Sequence, residues 1–295
     1  MLWAVFTLIA AAAQTARNAM QRELTATLGT VGATHVRFLF GFPFAALIFL
    51  PGVMLAAGYG WPHIPAVFWP WVVAGAVTQI AATATMLSVM GERSFVVAYA
   101  YIKTEPVQVA LFGLVFLGDK ITPLSALAIL IATLGVIVIS LKPGAGQVST
   151  TRSTLVGLFS GALFALSAIG YRGAILSLQL PHFVMAATFT LAAGLVMQAA
   201  LLTAYLALRD RKVLRDIMDA WRPSLLAGFM GAFASEFWFL AFAIATAANV
   251  RTLALVEVLF AQGVTWFVFK QKTTKRELAG VALVVIGVAL LVWAY

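Results

Sequence analysis

Ten apolar stretches follow one another along this chain, at roughly 2–16, 33–57, 67–90, 94–117, 122–141, 154–176, 182–207, 223–246, 249–269 and 278–295. No loop between them is long enough to hold a soluble domain. A helix crosses the hydrocarbon core of a bilayer with about 20 apolar residues, so each stretch predicts one spanning helix. Backbone groups in lipid pair only within a helix or around a closed barrel. None of the stretches shows the alternation of a barrel strand. Of the 295 residues 63% are hydrophobic and 10% charged, whereas a soluble domain is about half apolar and a quarter charged. The expected fold is therefore an all-α integral membrane protein with ten transmembrane helices. The opening MLWAVFTLIAAAAQTARNAM has no basic segment ahead of its apolar run. It reads as the first span and not as a leader.

The chain also repeats itself. A shift of 152 residues places Glu105 on Glu257, Lys120 on Lys272, Thr122 on Thr274, Gly135 on Gly287 and Trp69 on Trp221. Slightly different shifts pair Arg17 with Arg172 and His35 with His182. Alanines and leucines match anywhere in such a sequence, so the rare residues carry the argument. The reading is two five-helix repeats, 1–143 and 150–295. An odd number of spans per copy inserts the second copy the other way up. Inverted repeats of this kind carry substrate sites between the halves near the mid-plane.

The net charge of +9 sits in short loops such as RDRKVLRD (209–216) and KQKTTKRE (270–277). Loops of that kind set topology and meet anionic lipid head groups. No nucleic-acid-binding module accompanies the charge, so the partners expected are the lipid bilayer and a small solute, with no nucleic acid. The odd-numbered loops hold Arg17, Arg22, Arg93, Lys142, Arg152, Arg209, Arg211, Lys212, Arg215, Arg222, Lys270, Lys272, Lys275 and Arg276, and the even ones little beyond Lys120. By that bias the odd loops are cytoplasmic and both termini periplasmic.

LFGLVFLGDKITPLSALAILIATLGVIVIS (111–140), with its LGDK turn at 117–120, and the later VFKQKTTKRELAGVALVVIGVALL, with Gly280 and Gly287, carry a family likeness. With the span count and the duplication, they resemble the drug/metabolite transporter superfamily, in its ten-span branch built from two EamA domains. Asp119 stands where that family usually has glutamate. The resemblance implies alternating-access export of small metabolites, amino acids above all, from a bacterial inner membrane. It also implies a cavity lined by spans one, three, four, six, eight and nine, with five and ten peripheral. Among relatives the YddG-type amino-acid exporters, which handle aromatic and other neutral amino acids, compare most readily. Small multidrug members carry a proton-coupling glutamate in span one, and this chain has none there.

Ionisable groups deep in a membrane face protein or a water-filled cavity. Four fall inside spans: Lys103, Glu105, Glu236 and Glu257. On a continuous helix Tyr101, Glu105 and Gln108 share a face. Lys103 lies about 200° from Glu105, so the two are not expected to pair. Pro106 removes a backbone donor to Ile102 and disfavours helix before it. It is expected to act as a hinge. Glu257 is either a structural tie to a cation such as Arg251 or Lys103, or one of two symmetry-related gates. Its neighbour Val258 matches Pro106 and predicts an unbroken helix in the second half. Glu236, amid Phe233, Phe237, Trp238 and Phe239, suits an ammonium group by charge and by cation–π contact. Gln14, Gln79 and Thr83 complete the candidate cavity residues. His35 and His182 begin spans and read as wet interfacial side chains.

No HExxH pair, Gly-x-Ser-x-Gly turn or cysteine is present, so the sequence points to no enzyme, no metal site and no cofactor. Two function classes remain beside the amino-acid carrier. One is a proton-coupled exporter of lipophilic cations using the same acids. The other, a channel, is disfavoured by two inverted halves within one chain.

Overall fold

The computed structural model describes residues 1–88, 100–140, 151–260 and 274–295. Every regular element among them is helical. Helix α1 spans Leu2–Leu39 and is broken at Gly29, whose φ of 68° and ψ of 177° no side-chain-bearing residue adopts comfortably. The chain reverses there. Gln21 Nε2 donates to the Ala33 carbonyl at 2.9 Å, although twelve residues of straight helix would separate them by about 18 Å. A π-helical turn at Phe44–Phe49 leads into α2, Leu50–Ala57. Helix α3 covers Phe68–Ser88. Helix α4, Glu105–Phe112, runs on through a π-helical turn, Gly113–Leu117, that ends at left-handed Gly118. Helices α5 (Pro123–Ser140), α6 (Thr151–Ser177) and α7 (Phe183–Arg209) follow. Then come α8 (Arg211–Asp219), α9 (Trp221–Ile244), α10 (Ala247–Leu253) and α11 (Lys275–Ala294).

Eight helices among the described residues are long and apolar enough to cross a membrane. Large apolar side chains face outward on several of them, as Leu55, Val115 and Leu208 do at more than two-thirds exposure. Such a surface belongs in lipid. The apolar stretch 2–16 is also helical, within α1, where Gln14, Arg17 and Asn18 dilute it. Four expected spans reach outside the described residues, the third at 89–90, the fourth at 94–99, the fifth at 141 and the ninth at 261–269. Arg93, Lys142, Lys270 and Lys272 also lie there.

Close packing is built on glycine. A Cβ at Gly170 of α6 would lie 2.6 Å from the Gly75 nitrogen of α3. Helices α5 and α11 pack equally tightly: a Cβ at Gly135 would lie 2.7 Å from the Val284 nitrogen, and one at Gly287 2.5 Å from the Ala132 nitrogen. Only small residues let membrane helices approach this closely. The two contacts are related by the 152-residue offset. So are two N-terminal caps. Thr122 Oγ1 accepts from the Ser125 N–H at 3.1 Å, and Thr274 Oγ1 from the Glu277 N–H at 3.2 Å.

Both termini lie on one face. The Trp3 and Tyr295 rings are 5.0 Å apart, and the Tyr295 hydroxyl donates to the Ile244 carbonyl. The opposite face carries the turn at Gly29 and, packed over it, α8, whose Val213 approaches Gly32. The sequence reads RDRKVLRD as a basic loop, but it forms a helix. Asp210 Oδ1 accepts from the N–H groups of Lys212 and Val213. Ile217 is buried while Arg211, Lys212 and Arg215 stay exposed. Charge masks an amphipathic pattern only nine residues long.

Two further expectations are corrected. His35 is fully buried and hydrogen-bonds Thr203 of α7 through Nε2 at 3.0 Å, because the second span begins at the Gly29 turn and not at residue 33. His182 does lie at a span start, exposed and stacked on Tyr59 at 4.3 Å. Arg17, read as a loop residue, sits within α1 and is buried.

Candidate functional site: a charged cavity between helices

The central cavity lies where α1, α3, α4, α6, α9 and α10 meet, and measures about 60 Å³. By that measure it holds about four waters. Of the residues singled out by sequence, it is lined by Gln14, Gln79, Lys103, Glu105, Pro106, Trp238 and Glu257.

The helix break decides which of them meet. Thr104 N–H donates to the Tyr101 carbonyl and Val107 N–H to the Thr104 carbonyl, so the backbone makes a tight turn at Lys103–Thr104. Helix α4 restarts at Glu105 with Pro106 in its first turn, where a missing N–H costs nothing. The register expected of a continuous helix is lost. Lys103 and Glu105, predicted on opposite faces, both line the cavity. Tyr101 and Gln108, predicted beside Glu105, do not. Gln108 instead ties α4 to α6 by donating to the Leu158 carbonyl at 3.4 Å.

Lys103 and Glu105 do not pair with each other. Lys103 Nζ pairs with Glu257, and Arg251 Nε lies 2.7 Å from Glu105 Oε1. That second contact is an ion pair by distance, without hydrogen-bond alignment. Arg251 also lies 4.8 Å from the Trp238 ring centre and 5.9 Å from that of Phe242, so carboxylate and π faces share its charge. Gln14 joins the two sides, accepting from Trp238 Nε1 at 3.1 Å and reaching Glu257 at 3.5 Å.

The break has a counterpart in the second half. A 3₁₀ turn at Ala254–Val256 stands directly before Glu257, in the register of Lys103–Thr104 before Glu105. The expectation of an unbroken helix at Val258 is therefore corrected. It rested on the absence of proline, but tight turns form without one.

Of the remaining candidates Thr83 and Glu236 are outside the lining, and Gln79 reaches from it toward α7. Thr83 is buried and accepts from Arg37 Nη1 at 3.5 Å. Gln79 accepts from Gln198 of α7 at 2.8 Å. Glu236 sits against α7, bonded by the Thr188 hydroxyl, and is not among the lining residues. Phe237 beside it packs on Phe6 and Phe233. The position-by-position reading missed Arg37, Tyr171 and Ser167 in the lining. Arg37 carries the signal that was available, a cation within the apolar stretch 33–57.

At the terminal face, Arg172 of α6 donates to the carbonyls of Phe242 and Ala245 and pairs with Asp119 at 3.3 Å. The LGDK turn is thereby fastened to α6 and to the end of α9.

Residues 151–293, just under half the chain, match the model of the EamA-like transporter family. That family, within the drug/metabolite transporter superfamily, consists of membrane transporters of small solutes, not enzymes. The apolar helices and this match together support a multi-pass membrane protein. One solved protein structure superposes with a TM-score of 0.71 over 99% of this chain and 96% of its own length at 14% identity, a likeness of fold alone. No curated protein matches the sequence.

Proposed function

We propose that this chain is a carrier of the bacterial inner membrane that exports small polar or zwitterionic metabolites, amino acids above all, by alternating access. In this reading residues 1–143 and 150–295 are inverted five-helix repeats and the cavity between them is the transport site. The observation that carries it is the crossed pair of ion bridges, Lys103 to Glu257 and Arg251 to Glu105. Each joins the first half to the second, beside a helix break and on the cavity wall. The paired contacts of Gly135 with Val284 and Gly287 with Ala132 support the same two-fold relation. Bridges of this kind hold one arrangement of two bodies and re-form in another.

The charge inventory favours a solute with a carboxylate over a lipophilic cation. Among the described residues the lining holds Arg17, Arg37, Lys103 and Arg251 against Glu105 and Glu257. Protein reconstituted into liposomes, assayed with labelled amino acids and with a lipophilic cation, with and without a pH gradient, tests the reading. Amino-acid flux without cation flux is the expected result, and cation flux alone would replace it with the multidrug exporter. The charge bias supports periplasmic termini. A C-terminal fusion that fluoresces only in the cytoplasm should stay dark.

A further inference from the structure

Arg37 is 95% buried and lines the cavity. Among the described residues no carboxylate pairs with it. Its one side-chain hydrogen bond, to Thr83 Oγ1, is long at 3.5 Å, and its Nε has no partner. A guanidinium offers five donors, and a buried cation without a counter-charge is costly, more so inside a membrane. A second arginine runs beside it. A Cβ at Gly231 of α9 would lie 3.2 Å from Arg37 Cγ and 3.5 Å from Arg17 Cδ. The two side chains, from the two limbs of α1, therefore pass over the same glycine. Tyr171, also in the lining, presents a buried hydroxyl near Gln198. The two carboxylates of the cavity are engaged with Lys103 and Arg251.

We infer that Arg37, with Arg17 beside it over Gly231, is the anchor for the carboxylate group of the transported solute. This inference rests on the carrier reading and names the chemistry its solute must have. The planar fork of arginine matches a carboxylate through two parallel hydrogen bonds. Gly231 leaves room for both side chains to turn toward the cavity, and Tyr171 supplies a further donor. A zwitterion or a monocarboxylate meets this demand, and a simple amine does not.

The test is calorimetric binding to the purified full-length protein with three matched probes: L-phenylalanine, 3-phenylpropionate and phenethylamine. Wild type is expected to bind both carboxylates at least about tenfold tighter than the amine. Equal or tighter binding of phenethylamine, or no binding of any probe, overturns the assignment. Arg37→Gln should lower carboxylate affinity about tenfold or more, and unchanged affinity sinks the role of Arg37. Arg37→Lys keeps the charge but not the fork. It should give an intermediate loss even if the glutamine variant fails to fold. Replacing methanesulfonate by chloride at constant ionic strength separates a solute carboxylate from a bound inorganic anion. Chloride that abolishes 3-phenylpropionate binding would assign the site to the inorganic ion. Retained binding without liposome flux removes the carrier reading and leaves the site. Flux of phenethylamine alone does the reverse.

Discussion

Arg251 of α10 lies 2.7 Å from Glu105 at the start of α4, while Lys103, two residues before that glutamate, pairs with Glu257, six residues beyond that arginine. The four side chains are each about nine-tenths buried. Each half thus contributes one cation and one anion, and each anion stands just after a helix break. Removing one partner of a buried pair strands the other charge and costs about 3–5 kcal/mol, whereas removing both is far milder. Glu257→Gln should lower the unfolding temperature in detergent markedly. Lys103→Gln combined with Glu257→Gln should recover most of the loss. A double variant no more stable than the single one would show that the bridge is not the unit that matters.

The contact of α5 with α11 makes a cleaner stability prediction, because backbone atoms of the facing helix stand in the way. A methyl group at Gly287 meets the Ala132 nitrogen at 2.5 Å, and one at Gly135 meets the Val284 nitrogen at 2.7 Å. Neither neighbour can rotate aside. Gly135→Ala and Gly287→Ala should each destabilise by about 1–3 kcal/mol. Gly52→Ala in α2, where nothing lies within 4 Å, should be neutral or slightly stabilising. Thermal unfolding of the three variants side by side decides this, and equal stability throughout would contradict the packing.

Much of the helical architecture was legible because apolar length alone specifies a spanning helix, and eight of the expected ten spans have helices that qualify among the described residues. The rare residues of the repeat led to Glu105 and Glu257. What sequence missed followed from local breaks. Face arithmetic over residues 101–108 assumed a continuous helix, and the turn at Lys103–Thr104 regrouped those side chains. Arg37 went unnoticed because no periodicity argument distinguishes a cavity-facing arginine from one near a span end. Helix α8 hid in a run of basic residues. The breaks themselves are stabilised by tertiary contacts, such as Gly161 of α6 standing against the Ile102 carbonyl, and no single-residue preference encodes such a contact.

That conclusion changes what Pro106 is expected to do. The turn before Glu257 forms without proline, and Pro106 occupies the first turn of α4, where proline is well tolerated. Its ring presets the restart of the helix, and the turn in the second half shows that such a break does not require a proline. Pro106→Ala should fold normally, and its flux in liposomes should fall by no more than about threefold, a loss of well under 1 kcal/mol in the switching step. A tenfold or larger fall would restore the proline to the role of a hinge.

At the terminal face the structure offers a test of closure. Asp119 holds Arg172 at 3.3 Å while that arginine also donates to Phe242 and Ala245, so the LGDK turn, α6 and the end of α9 form one layer over the cavity. Ser167, five residues before Arg172 on α6, lines the cavity and is buried. The chain contains no cysteine, so Ser167→Cys provides a single thiol reporter. A membrane-impermeant thiol reagent supplied on the terminal face should label it slowly. Adding Asp119→Asn removes the charge that holds Arg172 and should speed labelling at least about threefold, because both side chains are about nine-tenths buried and losing one partner of a buried pair strands the other. The same reagent on the opposite face should show no acceleration. Identical rates with and without Asp119→Asn would mean that the two backbone carbonyls alone keep this layer shut.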